Sequence, residues 1–478
     1  MVLETAFDPA AFRVSGHHLV DLLADYLERI GKDDTPVIAW RPPAQAFERW
    51  QAAFQPGAGQ GAIGPLLETV LAESIHLHHP RYMGHQVSPA APVATLASLL
   101  CDWLNNGMGV YEMGIVGTTM ERVLIKSVAG VMGFGDTADG FFTSGGTLAN
   151  LTALLAARSS KAPGKIWEEG VKGPLALMVS EEAHYCVDRA ARIMGWGSAG
   201  VIKIPVNDQF QMRTELLSDY LEEARANGIT VVAVVGSACS TSTGAFDDLE
   251  AIGAFCAANN LWFHVDGAHG AALAFSKKYK DLVQGMTLAD SVAMDFHKML
   301  HVPAVTTALI FKEGKEAYHT FNQRAQYLWA EAEAEEWHNL AKRTFECTKL
   351  MMGLKVFTLL QTYGYAFFDE TVTRVCDLGL AMGELIEAHP HFELACPPQC
   401  NIVCFRYCRE GLSLADRDLL NQKIRQALLE EGSFYIVQTQ LRGATWLRTT
   451  FTNPFTTPDD LKALLHKLEG FADSVELI

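Results

Sequence analysis

The chain has 478 residues, 49% of them hydrophobic and 19% charged, and a formal net charge of −17. That length allows about two or three domains around a large core, and the acidic balance argues against nucleic acid or an anionic membrane surface as a partner. The N-terminus, MVLETAFDPAAF, lacks the basic segment and apolar run of a secretory signal, and a long apolar run, APVATLASLLCDWL, is interrupted by Asp102 and falls short of the roughly 20 residues that span a bilayer, so a cytoplasmic protein without a membrane span is expected.

Residues 11–32 read as an amphipathic helix, with Leu19, Leu22, Leu23, Tyr26, Leu27 and Ile30 on one face. The loop-like stretches IAWRPPAQAF and QPGAGQGAIGP follow. This first segment, residues 1–80, is too elongated to form its own core and is expected to pack on another surface. From about 90 to 310, helices alternate with short apolar runs: LALMVS (175–180), GVIKIPV (200–206), VVAVVGS (231–237), LWFHVD (261–266), SVAMD (291–295) and TTALIF (306–311). Strands buried on both faces have this appearance. Helical stretches at 213–228 and 247–260 separate several of them, which predicts a doubly wound α/β domain with a mostly parallel sheet over residues 81–345. From about 340, KRTFECTKLMMGLKVFTLLQTYG opens a long helix. Helices and the strand-like NIVCFRY (401–407) and TWLRTTF (445–451) follow, which predicts a smaller α+β domain over residues 346–478.

The ten cysteines are scattered, as suits a chain kept reduced. Cys396, Cys400, Cys404 and Cys408 lie four apart, a spacing that would stack thiols on a helix. Pro397 and Pro398 oppose a helix there, and NIVCFRY is strand-like. Four residues along a strand span about 13 Å, too far for two thiols to share an ion. These cysteines read as small core residues, and no metal site is expected.

Asp266 ends the predicted strand LWFHVD and precedes the small residues of GAHGAA. Burying even a neutral polar group without a partner costs on the order of 2–7 kcal/mol, so a positive group should face this carboxylate. Lys298, 32 residues further on, lies just past the next apolar strand. In parallel neighbours of one sheet both positions open on the crevice beyond the strand ends, where ligands bind. A lysine that reacts with a carbonyl and a carboxylate that keeps a ring nitrogen protonated together point to pyridoxal phosphate. The phosphate needs a cradle, and SGGTLAN supplies Gly145, Gly146 and Thr147 at a helix entry. His184, in SEEAHY, either stacks on the pyridine ring or is a surface histidine at a helix start. His297, beside Lys298, has the reach to donate to the phosphate.

Taken in order, SGGTLAN, SEEAHY, STSTGAFDD, HVDGAH and DFHK resemble the pyridoxal-phosphate-dependent decarboxylases, the group that includes glutamate, cysteine sulfinate, aromatic amino acid and diaminobutyrate decarboxylases. The resemblance runs from HHPRYMGHQVSP at 78 to LRTTFTNP at 447–454. It implies the type I fold of aspartate aminotransferase, a homodimer with sites at its interface and the N-terminal segment packed on the partner, and α-decarboxylation of an L-amino acid. Lys298 would hold the cofactor, Asp266 its ring nitrogen and His184 one ring face. Ala268 would lie against the other face, with Thr241 nearby and Gly146, Thr147 and His297 on the phosphate. Arg448 would meet the substrate carboxylate, and Tyr82 and His85 fall where relatives contact the side chain.

Three departures stand out. Cys239-Ser240-Thr241 replaces a Gly-Thr-Thr, and Asp295-Phe296 replaces an Asn-Pro. A carboxylate near a phosphate is repulsive unless it is paired. The family's proton-returning tyrosine aligns near Ala334, and Tyr327 and His338 are the substitutes in reach. Without such a group, transamination or oxidative aldehyde formation competes with decarboxylation. The mixed segment Tyr82, Met83, His85 and Gln86 gives an aromatic substrate a slight preference over an acidic or diamino one.

Overall fold

The computed structural model describes residues 1–32, 34–55, 63–321 and 336–474. Their contacts divide the chain into a first unit, Met1–His85, Glu384–Ala395 and Phe405–Ile478, and a second unit, Gln86–Gly383 and Cys396–Cys404.

Seven strands form the sheet of the second unit: β1 (Asp139–Thr143), β2 (Leu175–Ser180), β3 (Val201–Ile204), β4 (Thr230–Ser237), β5 (Trp262–Asp266), β6 (Ser291–Asp295) and β7 (Thr307–Phe311). Their order is β1-β7-β6-β5-β4-β2-β3. Only β7 runs against its neighbours; the pairs β5–β6, β4–β5, β2–β4 and β2–β3 are parallel. The apolar runs are strands because helices cover both faces: every residue of β1, β2, β5, β6 and β7 is buried. The helix Gly146–Lys161 contributes Ala149, Ala153, Leu154, Ala156 and Ala157 to the core beneath the sheet. The predicted helices at 213–228 and 247–260 are observed as Leu217–Ala226 and Leu249–Asn259.

The long helix expected from about 340 starts later. The segment after the short turn Leu340–Lys342 stays irregular, and the helix runs Gly353–Glu387 with a break at Gly364, where φ is 67°. The reason lies in two buried cations. Arg343 Nη1 meets Asp139 Oδ2 at 3.0 Å. Lys349 Nζ reaches Glu121 Oε1 and also donates to the Phe142 carbonyl at 2.7 Å, while Phe142 N–H donates to Glu121 Oε1 at 3.0 Å. β1 is the edge of its sheet, so this ion pair takes up an outward N–H and C=O that would otherwise stay unpaired. A regular helix could not deliver both side chains. Breaking a buried pair leaves an uncompensated charge, so Lys349→Met is expected to cost about 3–5 kcal/mol in urea denaturation. Glu121 and Lys349 are 1% and 2% exposed at their side chains, which places the pair in that class.

In the first unit, the predicted N-terminal helix is observed as Pro9–Arg29, capped by Asp8, which accepts from Ala10 N–H at 3.0 Å. None of its residues is buried. A second, smaller sheet consists of β8 (Phe392–Leu394), β9 (Ile402–Tyr407), β10 (Val437–Leu441) and β11 (Ala444–Thr450) in the order β10-β11-β9-β8. β10 and β11 form a hairpin across Arg442 and Gly443, whose φ angles of 49° and 78° fit a tight two-residue turn. The helix Leu414–Glu431 packs on this sheet and the helix Pro458–Ser474 packs on that helix. Cys400 and Cys404, which belong to the second unit, are buried, and Cys404 Sγ donates to the Ser242 carbonyl of the same unit at 2.9 Å. Among the described residues no helix is long and apolar enough to cross a membrane.

Candidate active site

β4, β5 and β6 are parallel, so their carboxyl ends share one edge of the sheet. A cavity of about 200 Å³ opens there, lined by residues of the second unit that include Gly146, Thr147, His184, Thr241, Asp266, Ala268, His297 and Lys298. Eight residues singled out in the sequence thus meet around one space.

Asp266 is the last residue of β5 and is 9% exposed. Its Oδ1 accepts from Ala268 N–H at 3.3 Å. Lys298 lies three residues beyond β6, and its Nζ sits 3.1 Å from Asp295 Oδ2. Asp295 also accepts a short hydrogen bond from Thr307 Oγ1 and lies 3.7 Å from His297 Nε2. The carboxylate that replaces the expected Asn is therefore paired on every side, which removes the repulsion its sequence position raised. His297 Nδ1 is held 3.2 Å from both N and O of Thr306, leaving Nε2 on the Asp295 side.

The phosphate cradle has physical definition. Gly145 has φ +117°, outside the range of residues with a Cβ. At Gly146 an added Cβ would lie 3.3 Å from both the Ala268 methyl and Asp295 Oδ1, filling the space between the helix entry and the strand ends. The helix Gly146–Lys161 begins there, so its first amides point outward without partners in the helix.

His184 caps the helix Tyr185–Ile193, accepting at Nδ1 from Cys186 N–H at 3.3 Å, and it lines the cavity. Burial pushes its pKa below the usual histidine value, and Lys298 adds to this, while Asp266 and Asp295 oppose it.

Cys239 and Asp295, noted in the sequence as departures, also line the cavity, and so do Asn150, Cys186 and His269, which sequence reasoning missed. Asn150 and His264 form a support layer. His264 Nε2 lies 2.8 Å from Asn150 Oδ1, its Nδ1 lies 2.9 Å from Ser291 Oγ, and Asn150 Nδ2 donates to Cys186 Sγ at 3.1 Å. His264 is two residues before Asp266, so both side chains leave the strand on one face; that period-2 spacing was the available signal. Burial lowers the His264 pKa from 6.5 to about 4, against the raising influence of Asp266 and the Ser291 backbone. The unfolded chain then binds more protons than the folded one between those values. Stability from this site is full above pH 6.5 and falls by about 3 kcal/mol as pH drops toward 4. Urea titrations from pH 7 to 4 are expected to show that slope in the wild type and to lack it in His264→Gln.

Tyr82, His85 and Arg448 belong to the first unit. Tyr82 is 3% exposed and stacks on Tyr435 with ring centroids 5.5 Å apart and planes at 17°. Its hydroxyl donates to the His85 carbonyl at 3.3 Å. Burial lowers the pKa of His85, helped by the charges of Arg448 and Arg425. Of the candidates for returning a proton, Tyr327 and the aligned position Ala334 lie outside the described residues. His338 is half-buried, with its ring 5.6 Å from Tyr111.

The donor set matches pyridoxal phosphate: one amine, two strand-end carboxylates of which Asp295 is paired with that amine, an imidazole and a glycine-lined helix entry. Known proteins agree. The pyridoxal-dependent decarboxylase conserved domain matches residues 62–408. The chain is 28% identical over 480 residues to an L-2,4-diaminobutyrate decarboxylase of Acinetobacter baumannii, covering 95% of this chain and 94% of that one. It is 30% identical over 396 residues to an L-aspartate decarboxylase of Metarhizium robertsii, covering 82% and 79%. Among solved structures, the glutamate decarboxylase domain of diaminobutyrate-pyruvate transaminase and L-2,4-diaminobutyrate decarboxylase from Vibrio parahaemolyticus matches with a TM-score of 0.85 at 25% identity, covering 97% of this chain and 96% of that one. The fold is the type I α/β fold, a mostly parallel seven-stranded sheet with a small C-terminal antiparallel sheet. The chain belongs to the pyridoxal-dependent decarboxylases, carboxy-lyases that act on amino acids with pyridoxal phosphate.

Proposed function

We propose that this chain removes the α-carboxyl group of an L-amino acid as carbon dioxide and releases the amine, using Lys298, Asp266 and His184 as the residues at the cofactor. The observation that carries this reading is the convergence of Lys298, Asp266, His184 and the Gly146–Thr147 turn on one cavity. Bound there, pyridoxal phosphate supplies a ring that accepts the electron pair left on Cα when carbon dioxide departs. Asp266 holds the proton on the ring nitrogen, and each pKa unit it adds is worth about 1.4 kcal/mol. His184 offers its ring to one face and Ala268 a methyl to the other. Gly146, Thr147 and His297 bind the phosphate, with Thr241 beside the ring. Asp295 Oδ2, 3.1 Å from Lys298 Nζ, holds that amine at the cavity. Arg448 is the residue assigned to the substrate carboxylate.

For the side chain, the aromatic substrate slightly preferred from the mixed segment Tyr82, Met83, His85 and Gln86 stays the first choice, with an acidic or diamino substrate as the alternative; relatives named for diaminobutyrate, aspartate and aromatic amino acids resemble this chain to a similar degree. The enzyme is further proposed to be a cytoplasmic homodimer. None of the ten cysteines, all of them among the described residues, is joined in a disulfide, as suits a reducing compartment. Phe12, Val20, Phe47, Trp50, Leu66 and Trp103 are exposed, apolar surface that a second copy would cover, and sedimentation would read the dimer.

The test is a panel of aspartate, glutamate, cysteine sulfinate, 2,4-diaminobutyrate, ornithine and the aromatic amino acids, presented to the cofactor-loaded enzyme. Carbon dioxide and amine are expected in equal amounts, fastest with an aromatic substrate. Aldehyde with peroxide, or a keto acid without carbon dioxide, would overturn the assignment. Turnover of the charged amino acids alone would replace the aromatic substrate by an acidic or diamino one.

A further inference from the structure

The sequence HPHFE, residues 389–393, places two imidazoles on either side of Pro390, between the helix Gly353–Glu387 and β8. Residues 389–391 form a turn in which the His391 N–H donates to His389 Nδ1 at 3.2 Å. Both rings turn toward Glu469, on the helix Pro458–Ser474. His391 Nδ1 lies 3.0 Å from Glu469 Oε1 and His389 Nε2 lies 3.5 Å from the same oxygen. The three ligand atoms all fall within 4.8 Å of one another, and this is the one such group of three or more histidine, cysteine or carboxylate residues among the described residues.

We propose that His389, His391 and Glu469 bind a divalent transition-metal ion, with Zn²⁺ the representative. A tetrahedral ion with bonds of about 2.0–2.1 Å spaces its ligand atoms about 3.3 Å apart, which is the spacing of the two imidazole–carboxylate contacts. Two imidazoles and one carboxylate suit zinc, copper or nickel and not magnesium or calcium, which take oxygen ligands. Aromatic contacts hold the rings: His389 sits 4.9 Å from Phe392 at 67°, and His391 sits 5.9 Å from Tyr407 at 62°. His391 is about half exposed, leaving a fourth position to water. One bond must give way: His389 Nδ1 accepts from the His391 N–H at 3.2 Å, and a metal on Nε2 moves the ring proton to Nδ1. All three ligands lie in the first unit and none lines the pyridoxal cavity, so the ion is a clasp between the entrance to β8 and the last helix.

The test titrates Zn²⁺ into the pyridoxal-phosphate-loaded enzyme and follows binding by calorimetry and the melting temperature. One ion per chain and a rise in Tm are expected at pH 7.5. His391→Ala, at an exposed position, and Glu469→Gln are expected to weaken binding at least tenfold and to abolish the rise in Tm. Tenfold weakening in both variants, with decarboxylase rate unchanged, supports the clasp. Wild type that binds no Zn²⁺, or variants that bind it as tightly as wild type, overturns it.

Discussion

Lys298→Ala is expected to lower carbon dioxide release by about 10⁴-fold or more, because the substitution removes both the amine that joins the cofactor and a group able to carry a proton at Cα. Lys298 is the only amine among the residues that line the described cavity. Its side chain is 17% exposed, and its loss leaves Asp295 still bonded to Thr307 and close to His297. The fold should therefore survive, with Tm within a few degrees of wild type. The visible absorbance of the loaded enzyme should vanish in the same variant. Retained colour together with retained turnover would move the covalent site to another lysine.

Asp266→Asn is expected to lower kcat by about 10²–10³-fold while the protein still takes up the cofactor. The amide oxygen can keep the 3.3 Å bond from Ala268 N–H, so the shape of the strand end persists. What disappears is the negative charge that holds a proton on the ring nitrogen. Two pKa units of lost stabilisation correspond to about 3 kcal/mol in the barrier. Cofactor content near wild type with collapsed turnover separates this role from that of Lys298, whose replacement removes both. A variant that turns over at the wild-type rate would show that the ring nitrogen needs no proton here.

Strands buried on both faces were legible because nothing but their own apolar character defines them: LALMVS and SVAMD are observed as Leu175–Ser180 and Ser291–Asp295. β1 was not, and its residues explain why. Asp139 and Gly140 are poor strand formers by composition. Gly140 is there because a Cβ would lie 2.0 Å from the Leu309 carbonyl oxygen, and Asp139 is neutralised by Arg343, 204 residues away. The irregular stretch before Gly353 hides from periodicity for the same reason, since its cations are placed by partners distant in sequence. In the site, Lys298, Asp266 and His184 could be read from strand-end position and residue chemistry. Asn150, Cys186 and His269 reach the cavity through tertiary packing alone. The pairing of Asp295 with Lys298, Thr307 and His297 could be resolved only once β6 and β7 were side by side.

The most direct measurement is borohydride reduction of the pyridoxal-phosphate-loaded enzyme followed by peptide mapping. The account predicts one phosphopyridoxyl group per chain, on the peptide that carries Lys298. A label on a different lysine, or none at all, would contradict it.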